Sequence, residues 1–175
     1  MRIQELIDDI HKNAVEHGWW ETARSKQEII ALINSEWSEA LEESRAGHPL
    51  VWLGEHDKPE GIAVELVDGV IRIFDYLGQM GLPEIDEGDV EGLYSHARLG
   101  SGTIDANLPE VIAWLHLRTS ETITNDLPIL TRRQLLTAAM IALRWISDRG
   151  LDPIEVIRIK HEYNKTRPYK HGKLF

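Results

Sequence analysis

Glu36 and Glu39 stand three residues apart in the stretch EWSEALEE, and Glu65 and Asp68 repeat the spacing in VELVDGVIRIFD. On a helix, residues three apart lie on one face, so each pair presents two carboxylates in a common direction. Carboxylate oxygens are hard donors, and a set built from them alone selects Mg²⁺ or Mn²⁺. The chain has no cysteine, which removes disulfides, zinc-thiolate sites and thiol nucleophiles.

Helical phase shows where these acids face. In the first segment Glu36 falls within the apolar arc made by Ile29, Ile30, Ile33, Trp37, Ala40 and Leu41. Glu39 and Glu43 lie at its edge, and Glu42 looks outward. In the second segment apolar residues cover most of the circumference, leaving a narrow stripe of Glu65, Asp68, Arg72 and Asp75. If the two helices are antiparallel neighbours, the stripes meet. Two like charges about 4 Å apart repel by ~4 kcal/mol at an effective dielectric of roughly 20, and one arginine does not offset several such pairs. The acids must protonate, spread into solvent or take divalent cations between them.

The remaining elements also read as helices. Ile3 to His17 forms the first, ending before Gly18. The second opens at Ser25, with a capping box to Glu28, and stops near Ala46 before Gly47. The third runs from Pro59 to about Gly78. Pro109 to Ile123 gives a fourth, Thr131 to Arg149 a fifth with a Thr131–Gln134 capping box, and Asp152 with Pro153 starts a last one that breaks near Pro168. Residues 81–107 are rich in glycine and acid without a sustained period and read as an irregular insertion. Strand signals are missing. The expected fold is an all-α helical bundle, a single domain over 1–175, which suits a chain of 175 residues with 42% apolar and 27% charged composition.

A net charge of −10 argues against nucleic-acid polymers, whose phosphates need basic stripes. It leaves room for a small nucleotide whose charge is met by cations. No apolar run is long enough for a membrane span, and the first residues lack a signal-peptide pattern, so a cytoplasmic location is expected.

The pairing Glu36-x-x-Glu39 with Glu65-x-x-Asp68, together with the approach NAVEHGWWE and the ending KHEYNKTRPYKHGK, resembles the MazG-like all-α nucleoside triphosphate pyrophosphohydrolases. The resemblance covers roughly residues 10–80 and 155–173. It implies hydrolysis of a nucleoside triphosphate to the monophosphate and diphosphate, with Glu36, Glu39, Glu65 and Asp68 holding two or three Mg²⁺ or Mn²⁺ ions. It also implies a homodimer or homotetramer, although the helices from Pro109 to Arg149 could instead complete the bundle within one chain. Relatives include broad cleansing enzymes, dUTP or dCTP hydrolases and members that trim purine deoxynucleotides; deoxynucleoside triphosphates are the expected substrates, with a purine such as dGTP slightly ahead.

Lys160, Asn164 and Arg167 share one face of the last helix and suit phosphate oxygens and a sugar hydroxyl, with Tyr169, Lys170, His171 and Lys173 following. Asn13 and Trp20, in the stretch that resembles relatives, are candidates for the base. Glu36 or Glu39 is the candidate general base. Arg72, four residues after Asp68, is expected to orient that carboxylate, with Glu43 in support. The other tryptophans, Trp19 included, read as packing. Two other readings fit less of the sequence: a non-catalytic nucleotide-binding scaffold or sensor, and an HD-type phosphohydrolase suggested by His56 and Asp57. A di-iron bundle needs Glu-x-x-His, which the chain lacks.

Overall fold

A computed structural model describes residues 2–95 and 107–172. Among them are seven α-helices: α1 (Ile3–Glu16), α2 (Lys26–Arg45), α3 (Ile62–Gln79), α4 (Glu87–Ser95), α5 (Leu108–Ser120), α6 (Pro128–Ser147) and α7 (Pro153–Lys165). The all-α expectation holds. Its one addition is a two-stranded hairpin, β1 (Trp52–Leu53) paired antiparallel with β2 (Pro59–Glu60). None of the helices is long and apolar enough to cross a membrane, among the described residues.

The apolar circumference of α3 places it at the centre, where α1, α2, α6 and α7 all pack on it. Ala63, Val64, Leu66, Val67, Val70, Ile73 and Phe74 are fully buried there, as expected for a helix that is apolar nearly all round. Helix α5 covers α2, and α6 covers α3. The helices from 108 to 147 thus pack onto α2 and α3 of the same chain.

Several boundaries differ from those the sequence predicts. Helix α3 begins at Ile62, because Pro59 and Glu60 are used in the hairpin. Gly61 caps it with φ of 116°, where a β-carbon would lie 2.7 Å from the Leu50 carbonyl oxygen. That carbonyl accepts the Ala63 N–H at 2.9 Å, so the loop before the hairpin satisfies a donor at the start of the helix. Helix α6 starts at Pro128, not at Thr131. Proline at a first-turn position is preset for helix and has no N–H to leave unpaired, so the Thr131 capping box does not form. At α2 only half of the box forms: Ser25 accepts from the Glu28 N–H at 3.1 Å, while the Glu28 carboxylate takes Arg24 Nε at 2.8 Å. The supposed irregular insertion contains α4, whose Val90 is buried against a core shared with α6. Packing there outweighs the two glycines that hide the helical period. The rest of that segment, 96–106, lies outside the described residues.

Trp37 is fully buried between α2 and α3. A β-carbon on Gly69 would overlap its six-membered ring, so glycine lets the indole lie against the α3 backbone. Gly69→Ala is expected to lose about 1–3 kcal/mol of unfolding free energy through overpacking, even though alanine favours helix by roughly 1 kcal/mol. A urea titration measures this, and an unchanged or higher midpoint removes the contact from the account of how α2 and α3 are spaced.

Candidate active site

Close approach of α2 and α3 carries Glu36, the neighbour of Trp37, against the charged stripe of α3. One oxygen each from Glu36, Glu65 and Asp68 lies within 4.8 Å of the others. Glu36 and Glu65 are each only 6% exposed. Glu39 is exposed but borders the same cleft. The cleft is open to solvent and encloses about 160 Å³, less than a typical small-molecule pocket.

Two cations meet these acids. Arg72 Nε donates to Glu36 Oε1 at 2.6 Å. Arg72 therefore serves Glu36, on the facing helix, and not Asp68 as its place in the sequence suggests. The guanidinium reaches across the seam, where the buried carboxylate has most need of a counter-charge. Lys160, 3% exposed, pairs with Asp68 Oδ2 at 2.7 Å and donates to the Pro59 carbonyl oxygen at 3.3 Å. Burial works against its charge, but Asp68 and Glu65 outweigh that and raise its pKa above the ordinary lysine value.

Glu65 is the carboxylate left over. Burial, reinforced by Asp68 and by Glu36 and Glu39, pushes its pKa up to about 8, against the opposing pull of Lys160. Burial also raises Glu36; Arg72 pulls it back, and Asp68 and Glu39 push it higher. A buried carboxylate that cannot keep its charge with the available side chains is in the state that a hard dication relieves. Glu36, Glu65 and Asp68 have the donor chemistry for Mg²⁺ or Mn²⁺, and Glu39 stands at the mouth beside them.

The C-terminal candidates divide. Lys160, Asn164 and Arg167 all border the cleft, as does Asn13 from α1. Asn164 is buried, and its Oδ1 has no partner among the described residues. Tyr169 does not reach the cleft: its ring packs over Gly18 and its hydroxyl bonds Glu21. The tail folds back on the end of α1, with Lys170 N–H on the His17 carbonyl at 3.0 Å, and carries Tyr169 away. Lys173 lies outside the described residues.

Trp20 stands behind the wall of the cleft, donating Nε1–H to Asp75 Oδ1 at 2.8 Å. Its neighbour Trp19, expected to be packing, borders the cleft instead. Gly18 ends α1 in the left-handed region at φ 79°, and the turn that follows determines which indole faces inward. Glu43 supports the hairpin, accepting from Trp52 Nε1 at 2.9 Å and pairing with His48 at 3.1 Å. It lies one turn beyond the cleft on α2 and is not part of it. His56 and Asp57 occupy the exposed hairpin turn with φ of 57° and 56°, away from the acidic cluster, which gives an HD-type site no support.

Sequence reasoning missed Arg24 and Lys58, which also border the cleft. The i,i+4 spacing of Arg24 and Glu28 was the available signal for an ordered arginine; Lys58 arrives through a hairpin that has no signature in the sequence. No family model, no curated protein and no solved structure matches this chain.

Between pH 4.5, the ordinary value for glutamate, and about 8, Glu65 holds its proton more strongly in the folded chain than in the unfolded one. The folded state then binds more protons, and unfolding free energy falls as pH rises through that window. In chelator the melting temperature is expected to decline from pH 5 to 8. The decline is smaller in Glu65→Gln and in millimolar Mg²⁺ or Mn²⁺. Identical slopes for Glu65→Gln and the unaltered protein would show that Glu65 is not the crowded group.

Proposed function

We propose that this protein is a metal-dependent nucleoside triphosphate pyrophosphohydrolase, converting a deoxynucleoside triphosphate and water to the monophosphate and diphosphate. The observation that carries the reading is the trio Glu36, Glu65 and Asp68, drawn from α2 and α3 into one cluster and paired, among the described residues, with Arg72 and Lys160.

On this reading Glu36, Glu65 and Asp68 hold Mg²⁺ or Mn²⁺, which would supply charge against the triphosphate oxygens and make water at the site more acidic. Arg72 fixes the Glu36 carboxylate by the bond across the seam. Glu39 borders the cleft without belonging to the three-oxygen cluster, so it is free to take a proton from the attacking water. The new bond forms between that water oxygen and the α-phosphorus, and the bond from the α-phosphorus to the bridging oxygen breaks, releasing diphosphate. Lys160, Asn164 and Arg167 from α7 stand on the cleft wall to hold phosphate oxygens or sugar hydroxyls. The buried, unpaired Asn164 Oδ1 is an acceptor suited to a hydroxyl.

Purified protein with Mg²⁺ or Mn²⁺ and a panel of ribo- and deoxynucleoside triphosphates is expected to give monophosphate and diphosphate in equal amounts, with turnover abolished by chelation. Asp68→Asn and Glu65→Gln each lower kcat by about two orders of magnitude or more, a loss of about 3 kcal/mol in the transition state. Orthophosphate as the product moves the cleavage to another bond. Nucleotide binding without diphosphate release replaces the enzyme with a sensor.

A further inference from the structure

Beyond the acidic cluster, the same cleft is bordered by a second pair of charged side chains, Arg24 and Asp75. Asp75 follows Asp68 by seven residues, two turns further along α3 on the same face and roughly 10 Å along the axis. That is comparable to the distance in a nucleoside 5′-monophosphate from phosphorus to the far edge of the base. Ile10, Ala14 and Ile71 line the cleft with it and give an apolar surface for an aromatic ring.

Asp75 is held in one orientation. Its Oδ1 accepts Trp20 Nε1–H at 2.8 Å and pairs with His11 Nδ1 at 2.8 Å, while no donor reaches Oδ2 among the described residues. The Trp20 indole nitrogen is a donor only, which fixes an oxygen, never an amine, at that position. Against the same indole stands Arg24, its Cζ 6.0 Å from the ring centroid. Its side chain is 9% exposed and its Nε is committed to Glu28. The buried Nη2 has no acceptor among the described residues, and both Arg24 and Asp75 border the cleft. A buried guanidinium N–H left unpaired is costly, and a ligand acceptor would satisfy it.

We infer that Arg24 and Asp75 form a guanine-reading subsite, so that, if the protein is the pyrophosphohydrolase proposed above, its substrates are guanine nucleoside triphosphates. Guanine presents a carbonyl acceptor, O6, beside two donors, N1–H and the N2 amine. Arg24 Nη2 meets the first and Asp75 Oδ2 the other two. Adenine reverses the order, with an amine where O6 would be and an acceptor at N1 facing the carboxylate. Cytosine does the same with N4 and N3. Hypoxanthine keeps O6 and N1–H but lacks the amine.

The test is calorimetric binding of dGMP, dIMP and dAMP in Mg²⁺, with dGTP turnover measured alongside. The unaltered protein is expected to bind dGMP at least tenfold more tightly than dAMP, with dIMP between them. In Asp75→Asn the carboxamide oxygen must stay on Trp20, which turns the NH₂ into the cleft, so the preference for dGMP over dAMP falls severalfold while Arg24 still favours O6. Equal affinities for dGMP and dAMP in the unaltered protein overturn the subsite without recourse to any variant, as does an Asp75→Asn protein whose preference for dGMP is undiminished. Selective dGMP binding with no diphosphate released from dGTP leaves the guanine subsite standing and removes only the reaction.

Discussion

The indole of Trp37 occupies the space that a side chain on residue 69 would need, and the site depends on that contact. Trp37 is the residue after Glu36, and Gly69 is the residue after Asp68. Wherever the ring lies against the glycine, the carboxylates beside them are forced to approach. Burial of the seam, which supplies hydrophobic stabilisation along the length of α2 and α3, thus works against the electrostatics it creates. At effective dielectrics near 20 each close carboxylate pair costs about 4 kcal/mol, comparable to fully burying one or two large apolar side chains at about 1.5–3 kcal/mol each. The packing wins because it is extended along two helices while the repulsion is confined to one place.

Within that place the charges are matched one to one until the partners run out. Arg72 takes Glu36 and Lys160 takes Asp68. Glu65, buried on the central helix between them, has its pKa raised to about 8. An excess of one buried carboxylate over its counter-ions is a poor way to stabilise a fold. On the proposed function, that excess is what a dication would neutralise, and protonation of Glu65 is the other way to relieve it.

The sequence made the helices and the acidic stripes legible because both are periodic: an apolar circumference on α3 interrupted by Glu65, Asp68, Arg72 and Asp75 is visible without coordinates. What it concealed were contacts between elements. The partner of Arg72 lies across the helix seam, not one turn away on its own helix, and no helical wheel shows it. Trp19 and Trp20 are adjacent, and the turn after Gly18, not either residue's character, decides which faces the cleft. Glu43 shares a helix face with Glu36 and Glu39, yet the Trp52 hairpin captures it. That hairpin was unreadable because its strands are two residues each, too short to show alternation. Helix α4 is hidden for a related reason: with one buried residue, Val90, and two glycines, it shows no apolar period of its own.

Lys160 joins the two halves of the proposed chemistry. It comes from the last helix, 92 positions after Asp68, and its ammonium sits at the base of the acidic cluster with a buried side chain and one neutral acceptor, the Pro59 carbonyl. A buried ammonium must keep a negative partner. If Asp68 gives its charge to a dication, the nearest replacement is an anionic oxygen of a ligand in the same cleft, on the wall that Lys160 shares with Asn164 and Arg167. One side chain can then serve the free and the liganded protein in turn, stabilising the carboxylate while the site waits and the phosphate once the site fills. On the proposed function, that sharing would let a basic residue expected to meet phosphate stand on an acid in the free protein.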